Sequence, residues 1–123
     1  YVGDVHGGQG DTEFTGIADE TRSTVQMSCV VIKNQRLPCV RIDKPDSIVA
    51  IGINLPMEQA VLDATRNLMV WLAEDYGIEN KDIYIRMSCD PAFRVRVYQM
   101  VRAITLQNVV GAEYPKERLF PAL

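Results

Sequence analysis

The segment from Pro56 to Gly77, PMEQAVLDATRNLMVWLAEDYG, sets the architecture. Ala60, Val61, Ala64, Leu68, Trp71 and Leu72 recur in it at steps of three and four, as one apolar face of an α-helix requires. Pro56 is tolerated in a first turn, Glu58 suits the positive end of the helix dipole, and Gly77 is a natural stop. The pattern predicts a helix over about 57–76, with Met57, Met69 and Trp71 in the core.

The pattern changes on either side of this helix. Upstream, Thr24 to Lys33 (TVQMSCVVIK) is rich in β-branched and apolar residues and reads as a buried strand. Leu37 to Ile42 and Ser47 to Ile53 read as two more strands, and Phe14 to Ala18 as a short one. Asn34-Gln35-Arg36 and Asp43-Lys44-Pro45-Asp46 have turn chemistry between them. Short turns between successive strands imply antiparallel pairing. Downstream, Asn80 caps a shorter helix over about 81–89 that Pro91 closes. Phe93 to Val101 alternates with basic residues as a half-exposed strand does, Ile104 to Val110 reads as another strand, and Lys116 to Leu123 as a tail. The fold class is α+β, and the 123 residues suit a single domain with no linker or internal repeat.

Composition excludes several classes of function. An apolar fraction of 47% with 24% charged residues is ordinary globular composition. A net charge of −3 gives no basis for nucleic acid or an anionic membrane as partner, and Arg94, Arg96 and Arg102 read as strand-face or interface charges. No apolar run reaches membrane-spanning length. Cys29, Cys39 and Cys89 are odd in number and lack a CxxC spacing, which points to buried free thiols in the cytoplasm. A nucleophilic role for Cys89 lacks a base, so a small buried residue is the better reading. Tyr1-Val2 reads like the middle of a strand, the expectation for a processed chain, a fragment or one piece of a larger assembly.

The densest chemistry lies at the start, in Gly3-Asp4-Val5-His6-Gly7-Gly8-Gln9-Gly10-Asp11-Thr12-Glu13. Asp4 and His6 are two apart and project from the same face of a strand, as do Asp11 and Glu13. The segment reads as strand, glycine-rich turn and strand, with acidic and imidazole groups converging at the turn. Carboxylates and imidazole suit a divalent cation, and closely spaced glycines let backbone amides approach a ligand. A phosphate cradle is a poor reading, because no Gly-Lys-Ser/Thr ending follows.

This segment resembles the acetamidase/formamidase family, whose hallmark runs Gly-Asp-x-His-x-x-Gln-Gly-Asp-Gly-Glu. Gly3, Asp4, His6, Gln9, Gly10, Asp11 and Glu13 stand at matching places, and Thr12 departs from the usual glycine. Glu20 matches the glutamate of a second acidic stretch, with Asp19 in place of an apolar residue. The likeness continues through the long helix, Tyr84 to Ser88, Asp90 and Gln99, to Gly111 and Pro115-Lys116. It covers only the C-terminal portion of such proteins. The resemblance implies a β-rich, sandwich-like arrangement of antiparallel sheets with one long and one short helix. It also implies metal-assisted hydrolysis of short amides such as formamide and acetamide to carboxylate and ammonia.

In that chemistry Asp4 and His6 are the leading metal ligands, with Asp11 and Glu20 as additions. Zinc suits the mixed nitrogen and oxygen set better than calcium. Glu13 becomes the proton shuttle, and Gln9 orients the substrate amide. The amides near Gly7, Gly8 and Gly10 face a developing oxyanion, and Asp90 lends support behind the site. The upstream part of the same protein or a partner chain completes the site, and exposed strand edges favour a homo-oligomer. Two other readings keep the fold without turnover: a structural module, or a domain that holds a carboxylate or amide unreacted.

Overall fold

The structure is a computed structural model that describes residues 5–102 and 106–119. Four strands form one antiparallel sheet: β1 (Arg41–Asp43), β2 (Ser47–Asn54), β3 (Arg94–Gln99) and β4 (Asn108–Pro115). Their spatial order is β1-β2-β4-β3. Between β2 and β3 the chain makes helices α1 (Met57–Tyr76) and α2 (Asn80–Cys89). The α+β class is as expected. Of the sandwich implied by the resemblance, the described residues contribute one sheet, and the layer packed on it is α1.

The register explains the core. Ile48 pairs with Tyr114, Ala50 with Ala112, and Gly52 with Val110, so these alternate residues share one sheet face. That face meets the apolar stripe of α1 formed by Ala60, Ala64, Leu68, Trp71 and Leu72, and α2 adds Ile83. Gly52 is required here, because a Cβ would run into the backbone of α1 at Ala60 and Ala64. Side chains at 60 and 64 are small for the same reason, and the helix backbone lies directly against the strand. Val49 and Ile51 point to the opposite face and are also buried. Strand β2 is thus covered on both sides, which is why it reads as an unbroken apolar run.

Helix α1 keeps the expected bounds, and its C-terminal Gly77 N–H closes onto the Leu72 carbonyl. Asn80 is the first residue of α2, with Glu79 in the cap position. Arg41 of β1 spans the outer end of α1: its guanidinium lies 5.0 Å from the centre of the Trp71 ring and pairs with Glu74 at 3.0 Å. The Trp71 indole N–H donates to Asp75 at 2.7 Å.

Several expectations are corrected. Thr24–Lys33 forms no strand and is exposed throughout, because none of the strands of the sheet extends a ladder to it. Phe14–Ala18 is turn and irregular backbone. The strand placed over 37–42 contracts to Arg41–Asp43, and the one placed over 104–110 is Asn108–Pro115, with 103–105 outside the described residues. The tail begins with a 3-10 turn at Lys116–Arg118. All three cysteines are free, yet Cys29 and Cys89 are exposed: one lies in the unpaired stretch and the other at the outer end of α2. Among the described residues no helix is long and apolar enough to cross a membrane.

Candidate functional site

The N-terminal segment docks on β3, the last strand of the sheet. An edge strand carries unpaired backbone groups, and two of these are satisfied by the segment. The Gln9 side-chain amide donates to the Tyr98 carbonyl at 2.8 Å, and the Met100 N–H donates to the Thr12 carbonyl at 2.7 Å. The chain then folds back on itself. Gly7 N–H donates to the Asp19 carbonyl at 2.8 Å, and His6 and Glu20 form an isolated antiparallel bridge. A Cβ at position 7 would lie 2.6 Å from Asp19 Oδ2, so a side chain there would displace the Asp19 carboxylate.

Between the two arms lies a cavity of about 290 Å³ lined by His6, Gly8, Gln9, Gly10, Asp11, Glu13 and Asp19, with Phe14 and Ile17 as apolar wall. His6 Nε2 stands 3.5 Å from Glu20 Oε1. The turn itself differs from the expected second strand. Asp11–Glu13 is a 3-10 turn in which Thr12 has φ 77° and Glu13 φ 44°. Thr12 thus occupies the left-handed region at the position where the resembled family has glycine. A β-branched residue there is strained, and the Thr12–Met100 hydrogen bond to the β3 edge helps to hold it.

The expected site residues divide accordingly. His6, Gln9, Asp11, Glu13, Gly8 and Gly10 line one cavity, and Glu20 faces His6 beside it. Asp4 lies outside the described residues. Gly7 is not part of the lining, and its N–H is bonded to the Asp19 carbonyl, whereas Gly8 and Gly10 do line the cavity. Gln9 donates a side-chain N–H to the Tyr98 carbonyl. Asp90 is not brought to this cavity. Its carboxylate accepts from the Tyr114 hydroxyl at 2.7 Å and the Ala92 N–H at 2.9 Å, and these bonds hold its pKa below the usual value.

Two features were not anticipated. Asp19 enters the cavity wall, where the sequence marks it only as an acid beside Glu20 in place of an apolar residue. The other is a charged network behind the turn. Glu113 of β4 is buried, with Lys44 at 2.7 Å, Arg96 at 2.6 Å and the Ser47 hydroxyl at 2.8 Å. Burial pushes the Glu113 carboxyl up, but the bonds from Lys44, Arg96 and Ser47 together outweigh it and bring the pKa down to about 2. Arg96 is held protonated first by Glu113, with Asp11 adding to the effect.

The donor set can be tested for a metal. Zinc bonds of about 2.0–2.2 Å in tetrahedral geometry put two donors about 3.3–3.6 Å apart, and the His6–Glu20 separation of 3.5 Å falls in that interval. An imidazole and a carboxylate fit zinc in kind as well. Among the described residues no group of three His, Cys, Asp or Glu side chains that could hold a metal ion converges.

A crystal structure of acetamidase from Yersinia enterocolitica is similar to this chain, with 34% identity and a TM-score of 0.78. The match covers 94% of this chain and 33% of that one, so the chain spans about a third of its relative's length. No protein-family model matches the sequence, and no curated protein does. The resemblance to the acetamidase/formamidase family, first visible in the N-terminal segment, thus extends through the fold of nearly the whole chain.

Proposed function

We propose that this chain carries part of the active site of an amidase that hydrolyses short amides, of the formamide and acetamide class, to carboxylate and ammonia. The observation that supports this most directly is the cavity between the crossed N-terminal arms, lined by His6, Gln9, Asp11 and Glu13, in a fold like that of an acetamidase. Its volume of about 290 Å³ admits a substrate of a few heavy atoms with room left for water. The site acts in the cytoplasm, where free thiols persist, and is completed by polypeptide equivalent to the rest of an acetamidase.

His6 and Glu20 hold a divalent cation, zinc in preference to calcium, with Asp4 and Asp11 as further donors. When bound, the cation supplies Lewis acidity and lowers the pKa of a coordinated water. The protein groups do the rest. Glu13 takes a proton from the attacking water and returns it to the departing nitrogen, help that contributes roughly 10²–10⁴-fold in such reactions. The side-chain carbonyl oxygen of Gln9 accepts from the substrate NH₂ and orients it. The amides of Gly8 and Gly10 donate to the oxyanion as the carbonyl carbon becomes tetrahedral. Phe14 and Ile17 give the acyl methyl apolar neighbours in the cavity lining.

Metal analysis combined with ammonia release from acetamide and formamide tests this reading. His6→Ala is expected to lower zinc retention and turnover together. Both measurements are made with the completing polypeptide present: unchanged zinc content would remove His6 from the ligand set, and absence of both zinc and ammonia release in the unsubstituted assembly would overturn the amidase reading.

A further inference from the structure

Residues 24–32 expose Val25, Met27, Val30, Val31 and Ile32, each more than half open to solvent, with Val30 at 86% and Val31 at 82%. Apolar side chains concentrated in so short a stretch are unusual on a protein surface and mark a contact. The order is that of a strand. Val25, Met27, Cys29 and Val31 fall on one side of an extended chain, and Thr24, Gln26 and Ser28 on the other, with Val30 and Ile32 making the end of that second side apolar too. Among the described residues, no backbone hydrogen bond outside the helices and strands involves this stretch. It therefore combines an apolar face with a row of backbone donors and acceptors that the sheet does not use.

The nature of the occupant follows from the likeness in fold. The match takes in 94% of this chain but only 33% of the acetamidase, so two thirds of that relative have no counterpart here. We propose that Thr24–Lys33 is a docking strand: it adds to a sheet edge in polypeptide equivalent to that remaining two thirds, joined to this chain or separate. Backbone hydrogen bonds supply the register, and Val25, Met27 and Val31 insert between apolar side chains behind the receiving edge. The inference rests on the likeness in fold and is independent of amide turnover.

The test co-expresses this chain, carrying an affinity tag, with the two thirds of the Yersinia enterocolitica acetamidase that it does not match. The expected result is an equimolar complex in which amides of residues 24–33 exchange with deuterium at least tenfold more slowly than in the chain alone. Val31→Asp is expected to abolish the complex while leaving the circular dichroism of the free chain unchanged. Leu62→Asp, an exposed apolar position on α1, serves as the control and is expected to retain it. Failure to form a complex, or a complex in which residues 24–33 exchange at the free rate, overturns the proposal. So does protection that arises from self-association of the chain. A complex that forms as expected but releases no ammonia counts only against the amidase reading.

Discussion

Thr12 shows how one side chain records a compromise. Its φ of 77° places a β-branched residue in backbone space that costs roughly 1–2 kcal/mol for residues with a Cβ. Glycine would remove that strain but would add freedom to the unfolded chain, a loss of about 0.4–1 kcal/mol. Strain relief is the larger effect, so Thr12→Gly is expected to raise stability by about 0.5–1 kcal/mol, measured as a higher urea midpoint at unchanged slope. A lower midpoint would mean that the threonine side chain makes a contact worth more than the strain. The departure from the resembled motif was legible in the sequence, whereas the positive φ was not. It arises because the turn must deliver the Thr12 carbonyl to the Met100 N–H, a constraint set by a residue 88 positions away.

Among the elements, those with both pattern and partner were readable. Helix α1 and strand β2 appear where the sequence placed them, because each carries a complete apolar face and the two faces meet. Thr24–Lys33 has the pattern without the partner, and no periodicity can reveal whether a neighbouring strand exists. Glu113 is the reverse case: an acid in an otherwise apolar strand, whose cations Lys44 and Arg96 come from the turn between β1 and β2 and from β3. Glu113→Gln leaves those cations without their carboxylate and is expected to cost about 2–3 kcal/mol. That is less than for a fully enclosed pair, because Lys44 and Arg96 keep access to water. The folded-state pKa of about 2 lies below the ordinary 4.5, so the carboxylate's contribution is complete above about pH 4.5 and is lost as pH falls toward 2. An acid titration of stability should show that limb in the parent protein and a flatter one in the variant.

For the molecule as a whole, stability is concentrated from β1 onward, where the sheet and α1 share one core. The stretch between the N-terminal arms and β1 contributes little to it. Arg22, Lys33 and Arg36 are exposed within this stretch, whereas the Arg41 side chain is 6% exposed. Brief trypsin treatment is therefore expected to cut after the first three and leave a resistant product beginning at Asn34 or Leu37. Protection of all three in the isolated chain would show that the stretch is already packed. The candidate site lies on the far side of these cuts from the core, and among the described residues its hydrogen bonds to the sheet are those at Tyr98 and Met100. Nicking should thus release the cavity-forming arms unless their hydrogen bonds to Tyr98 and Met100 retain them.

The position of Trp71 has a practical consequence. It is the sole tryptophan, 5% exposed, and it is enclosed at the seam where Arg41 lies over its ring and Asp75 accepts its N–H. Its ultraviolet emission is therefore an optical gauge of one joint, the seating of the first strand on the long helix. Arg41→Ala should move the emission maximum to longer wavelength while helical dichroism persists, so loosening of this seam can be followed separately from global melting.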